Sequence, residues 1–161
     1  MTDAVSLNNS GLTNTTGRIR LIAQGSGSYS GNRTCLGFFG GTSARPYTHV
    51  KTSAGGSSDR MHKFEYNGYT YAHLNVHNSV TFYTYNGTST PYVPSLVNWG
   101  ETTGGIINYY YSSDDYVIIV LQTNGNYTGG FLYHQSGQTH VDNAVDVLGY
   151  THHATATSGV Y

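Results

Sequence analysis

Short β-branched and aromatic runs, broken about every 8–12 residues by Gly, Asn, Ser or Pro, leave this chain no stretch in which an amphipathic helix fits. No segment repeats apolar residues at i, i+3, i+4 and i+7, and the strong helix formers Ala, Leu, Glu and Lys are sparse. Strands are expected near residues 18–23, 35–39, 47–51, 60–66, 69–76, 80–85, 105–111, 116–122, 128–133 and 141–151. Such a set makes an all-β domain, an antiparallel β-sandwich or barrel-like fold. The Gly/Ser-rich stretches 25–32 and 52–59 read as long loops at its ends. Residues 1–17 hold only Val5, Leu7 and Leu12 as apolar anchors and read as an extended arm, with the β-rich domain occupying residues 18–161. No repeat at a solenoid or propeller period appears.

Charged residues make up 9 % of the chain, against about 25 % in an average domain, while Tyr numbers 16 and Gly 21. The exposed surface must therefore be kept wet by hydroxyls and amides. That suits a protein working outside cells or on a virion better than a cytosolic enzyme. The formal net charge is −1, and Lys51 and Lys63 are the two lysines, so no basic stripe awaits nucleic acid. The longest apolar run, residues 117–121, is far too short for a membrane-crossing helix. The opening residues lack the apolar centre of a secretory signal, and a fragment of a longer chain with an added Met1 is expected. Cys35 is the single cysteine, so no intrachain disulfide forms; it reads as a small buried apolar residue.

One local stretch is near-palindromic: HKFEYNGYTYAH, residues 62–73. Asn67–Gly68 supplies the two positive-φ positions of a type I′ turn, which predicts a hairpin here. Tyr66 would then face Tyr69, Phe64 would face Tyr71 and His62 would face His73, placing six rings on one face. Met61, Lys63, Glu65, Thr70, Ala72 and Leu74 would fill the other.

Patterns for catalysis or metal binding are weak. His73 and His77 stand about 13 Å apart if their segment is a strand, too far to share an ion. His152 and His153 point to opposite faces, whereas His134 and His140 flank a loop that brings them together if it closes a hairpin. No cofactor and no metal site within one chain is assigned; a metal shared on a symmetry axis stays open. Asp114 and Asp115 are adjacent and sit in SSDD, a turn sequence. Asp142 and Asp146 are about 13 Å apart on a strand, beyond the roughly 5–10 Å over which glycosidase carboxylates converge. No nucleophile elbow, P-loop or zinc-ligand spacing occurs, so no catalytic residue is assigned.

The tyrosines carry the functional signal. Tyr109, Tyr110 and Tyr111 cannot all be buried in one layer, because alternation turns at least one ring outward. A Tyr ring offers a broad apolar face and a hydroxyl at small entropic cost, which suits recognition surfaces. Sugars present CH faces and hydroxyls that match such a surface. Tyr69, Tyr71, His73, Tyr109, Tyr110 and Tyr111 are therefore the expected ligand-binding residues.

Three stretches, SLNNSGLTNTTGRIRLIAQG (residues 6–25), FEYNGYTYAHLNVHN (64–78) and SSDDYVIIVLQTNGNYTGGFLYHQSG (112–137), resemble the C-terminal receptor-binding regions of bacteriophage tail fibres, above all those of marine and cyanobacterial phages. The likeness is one of composition and texture. It implies a β-rich homotrimer at a fibre tip on the virion, with residues 1–17 as the end of a fibre shaft. It also implies a non-enzymatic adhesin that recognises host cell-surface saccharide or an outer-membrane receptor, without membrane insertion. The alternatives are a free-standing carbohydrate-binding module or lectin, and a fibre-tip polysaccharide depolymerase.

Overall fold

A computed structural model describes residues 20–24, 30–55, 60–69, 76–84, 92–100, 104–123, 128–138, 145–157 and 161. The expected arm (residues 1–17) lies outside them. The described elements are strands: β1 (Arg20–Gln24), β2 (Ser30–Gly40), β3 (Tyr47–Gly55), β4 (Arg60–Tyr69), β5 (Val76–Thr84), β6 (Tyr92–Gly100), β7 (Gly105–Tyr111), β8 (Tyr116–Gln122), β9 (Gly129–Gln138) and β10 (Val147–His153). They form two antiparallel sheets, one ordered β1-β2-β9-β4-β5-β6 and the other β10-β3-β8-β7. This is the all-β sandwich expected from the alternation pattern.

The core is built by period-2 alternation on both sheets. The first sheet turns Phe64, Tyr66, Val80, Phe82 and Leu132 inward, and the second contributes Val50, Ile106, Val117, Ile119 and Leu121. Phe64 and Phe82 stack on one sheet at 5.8 Å, and Phe82 stacks on Tyr109 of the other at 5.5 Å. The run at residues 117–121 is buried throughout, so β8 is covered on both faces. Part of the outer cover comes from the C-terminal segment. His49, buried on the outer side of β3, donates from Nε2 to the Thr155 carbonyl at 3.3 Å. Tyr161 meanwhile places its ring 5.4 Å from Lys51 Nζ.

The turn expected at SSDD joins β7 to β8. Asp115 takes φ 66°, and its amide donates to the Ser112 carbonyl at 2.9 Å. Asp tolerates this left-handed position better than most residues.

The hairpin expected at Asn67–Gly68 does not form there. β4 runs straight through both residues to Tyr69, with Asn67 opposite His77 and Gly68 opposite Val76 on β5. Neither residue has the positive φ that a type I′ turn demands. Residues 70–75, which hold most of the second half of the palindrome, lie outside the described residues. Close packing decides the matter. A Cβ on Gly68 would lie 2.5 Å from the Gly129 carbonyl oxygen and 2.7 Å from the Tyr66 ring. Gly68 is thus needed where β4 and β9 approach each other. Gly68→Ala is expected to lower the unfolding free energy by about 1–3 kcal/mol in urea denaturation, as overpacking of a filled interior does.

Two other differences have clear causes. β6 forms where the sequence reading places no strand, and it accommodates Pro94 because it is an edge strand. Its register with β5 shifts between Thr81 and Tyr83, next to the proline. Cys35 is half-buried rather than core, and stands opposite Tyr133 of β9.

Candidate functional site

The outer face of the six-stranded sheet carries the chemistry. A β-bulge between Cys35 and Gly37 rephases β2, so that Phe39 turns into the core while Phe38 turns outward opposite Phe131. Phe38 is 53 % and Phe131 46 % exposed, and their rings meet edge to face at 5.2 Å. Tyr133 follows on the same side of β9, its ring 6.3 Å from that of Phe131. Tyr69, 44 % exposed, ends β4 opposite Gly129, whose open space the Phe38 ring fills. Phe38, Phe131 and Tyr69 are thus large aromatic side chains that the sheet leaves in solvent.

Beside the rings lies a polar cluster centred on Glu65. The Arg33 guanidinium sits over the Tyr133 ring at 4.7 Å and reaches Glu65 Oε1 through Nη2 at 3.1 Å. Lys63 Nζ holds Glu65 Oε2 at 3.2 Å, and Asn67 Nδ2 donates to Oε1 at 2.9 Å. His77 Nε2 stands 3.6 Å from the same oxygen. Burial alone would raise the Glu65 carboxyl. Hydrogen bonds from Asn67 and Lys63 and the charges of Lys63 and Arg33 outweigh it and hold the group below the ordinary carboxylate range. Glu65 is therefore an ionised hub that fixes donors, with both oxygens engaged. Among the described residues of this face it is the one carboxylate.

The expected binding residues are spread over the molecule. Tyr69 belongs to the aromatic face; Tyr71 and His73 lie outside the described residues. Tyr109 and Tyr111 point inward and pack against the core. Burial raises both hydroxyls, with Asp115 adding to the effect at Tyr111, which reaches about 12. Tyr110 points the other way and donates to His49 Nδ1 at 2.9 Å. The tyrosine run thus splits across β7 on the opposite sheet. Arg33, Phe38, Glu65, Phe131 and Tyr133 were not singled out from the sequence. Phe131 and Tyr133 alternate with Leu132 and His134 and were readable as one outward face; Phe38 was not, because the bulge sets its side.

The histidines play an internal part. His62 pairs through Nδ1 with His134 Nε2 at 2.9 Å, inside the core between β4 and β9; His73, its expected partner, lies outside the described residues. Its other nitrogen lies 3.3 Å from Thr84 Oγ1, which donates to the Arg60 carbonyl. One consistent assignment has Thr84 donating to the Arg60 carbonyl and accepting from His62 Nε2–H, and His62 Nδ1 accepting from His134 Nε2–H. Among the described residues no three His, Cys, Asp or Glu side chains gather as metal ligands. Comparison with protein-family models, with characterised proteins and with solved structures finds no match for this chain.

Proposed function

We propose that the chain is a non-enzymatic receptor-binding domain that recognises cell-surface glycan on the outer face of its six-stranded sheet. The observation that carries this reading is the exposed pair Phe38 and Phe131, continued by the half-buried Tyr133, beside donors held in place by Glu65. Aromatic faces cover the CH faces of a sugar, and a fixed guanidinium, amide and ammonium meet its oxygens. The saturation of Glu65 by Arg33, Lys63 and Asn67 favours binding over acid–base chemistry. The texture shared with tail-fibre tips supports placing the domain on a virion as a homotrimer. Native mass spectrometry separates that arrangement from a monomeric lectin, since a monomer would defeat it.

The direct test is a glycan array with the wild-type domain, followed by titration of the best ligand against Phe131→Ala and Tyr133→Ala. Loss of a central aromatic anchor is expected to cost about 2 kcal/mol, or ~30-fold in affinity. Both side chains point away from the core, so the folded state should persist in circular dichroism. Unchanged affinity in both variants would remove this face from consideration.

A further inference from the structure

We infer that the saccharide taken by this face is anionic, carrying carboxylate or sulfate groups. The inference rests on the glycan-binding reading and goes beyond it by assigning the ligand's charge.

The layering of charge carries the argument. The Glu65 side chain is 10 % exposed, whereas those of Arg33 and Lys63 are 44 % and 27 % exposed. A ligand approaching from solvent therefore meets two cations, with their shared carboxylate beneath them. Counting Arg33 and Lys63 as +1 each and Glu65 as −1 leaves the cluster at +1, on a chain whose formal net charge is −1. Two of the chain's seven Lys and Arg residues stand here, beside its exposed aromatic row.

Geometry narrows the ligand further. The Arg33 guanidinium lies over Tyr133 and is held by Glu65 through Nη2, so its position is restricted before anything binds. A fixed guanidinium presents a flat fork that matches a carboxylate or sulfate with two parallel hydrogen bonds. A sugar lying over Phe131, beside the Tyr133 ring that Arg33 covers, brings an acidic substituent on its ring edge toward Arg33 and Lys63. A neutral sugar on the same rings would partly desolvate both cations without supplying a counter-charge, which costs affinity.

Polygalacturonate and its full methyl ester share a backbone and differ in charge, so they are the primary probes. Dextran sulfate against dextran tests sulfate, and polyglutamate tests charge without sugar. Affinity electrophoresis or calorimetry is expected to show at least one acidic polymer bound at least about tenfold tighter than its neutral counterpart, weakening as salt rises. Arg33→Gln and Lys63→Gln are each expected to remove most of that preference, while Phe131→Ala weakens binding to acidic and neutral polymers alike. Thermal melts of the two charge variants identify any loss that comes from unfolding, and two independent variants keep the test decisive. Equal or tighter binding of the neutral polymers overturns the inference and leaves the glycan-binding reading in place. Polyglutamate bound as tightly as the acidic polysaccharides overturns it too, because the face would then read charge alone. Failure to bind any saccharide, on these polymers and on the array, removes both.

Discussion

Lowering the pH from 7 to 5 is expected to remove about 3–4 kcal/mol of folding stability, a large share of what a domain of this size has. The source is the buried His62–His134 pair. Burial first, and the Arg60 charge second, pull His62 down to about 4. Burial likewise holds His134 well below the ordinary histidine range, helped by the His62 and Arg60 charges. In the unfolded chain each ring titrates near 6.5. Below that value the unfolded state binds protons that the folded state refuses. Stability is therefore complete above about pH 6.5 and falls as the pH drops through the window down to about 4. Each ring contributes a slope of about 1.4 kcal/mol per pH unit inside the window, so the pair gives nearly twice that. His49 acts in the same direction: burial lowers it, the hydrogen bond to Thr155 opposes, and His153 lowers it further. Glu65 and Asp114, both with lowered pKa values, add their losses only as the pH falls below the ordinary carboxylate range, so pH 5 to 6.5 isolates the histidines.

Urea denaturation at half-unit steps of pH checks this directly. In wild-type protein the unfolding free energy is expected to fall with a slope near two protons or steeper. In His134→Phe the slope should drop by about one proton, whatever the variant's stability at pH 7, because the pH dependence and the packing cost are separate observables. A slope unchanged by His134→Phe would show that the pair is not the acid-sensitive element. The neighbourhood supports strong coupling to folding. His134 Nδ1 and Thr34 Oγ1, directly opposite on β9 and β2, are both buried without a hydrogen-bond partner among the described residues. An added proton at His134 Nδ1 would thus be buried with no hydrogen bond already formed to hold it.

Local pattern made much of the fold legible, and non-local pairing hid the rest. The bounds of β7 and β8 follow from their alternating and continuous apolar runs, and the turn between them from Ser112 and the aspartates. Asn67–Gly68 misleads because its turn chemistry is a property of an isolated dipeptide. In the protein β4 lies between β9 and β5, and the demand for a glycine comes from the approach of β9. His62 and His134 are 72 residues apart, and nothing in the spacing of the chain says that β9 lies beside β4. Residues 61–69 contain both faces of the story. The rings of His62, Phe64 and Tyr66 attract notice but are core, while the mixed face holding Lys63 and Glu65 belongs to the candidate site. Tyr is abundant and conspicuous, yet two of the three tyrosines at 109–111 serve packing. The exposed rings that matter include two phenylalanines, one turned outward only by a bulge.

Asn78 carries the second large expectation: Asn78→Leu should lower the unfolding free energy by about 3–5 kcal/mol. Asn78 is buried on the inner face of β5 and reaches across to the start of β7 on the other sheet. Its Nδ2 donates to the Gly104 carbonyl at 3.2 Å and to the Ile106 carbonyl at 3.0 Å, and its Oδ1 accepts from the Ile106 amide at 2.9 Å. One side chain thus serves three backbone groups in the core, at a point where Gly105 takes φ 76°. Leucine has similar bulk but removes all three bonds, so the loss measures hydrogen bonding rather than a cavity. Gly105→Ala should be costly as well, since its Cβ would fall 2.5 Å from Asn78 Oδ1 at a φ that disfavours side chains. The two sites touch, so in a double-mutant cycle Asn78→Ala with Gly105→Ala should cost less than the sum of the single changes: the oxygen that clashes has gone. Additive losses would mean that backbone conformation alone makes Gly105 necessary, and a fully stable Asn78→Leu would mean that the contact between the sheets does not need this amide. Neither change touches Phe131, Tyr133 or Arg33 on the far side of the first sheet. On the proposed glycan-binding function, affinity measured well below the melting temperature should therefore match wild type even where stability is halved.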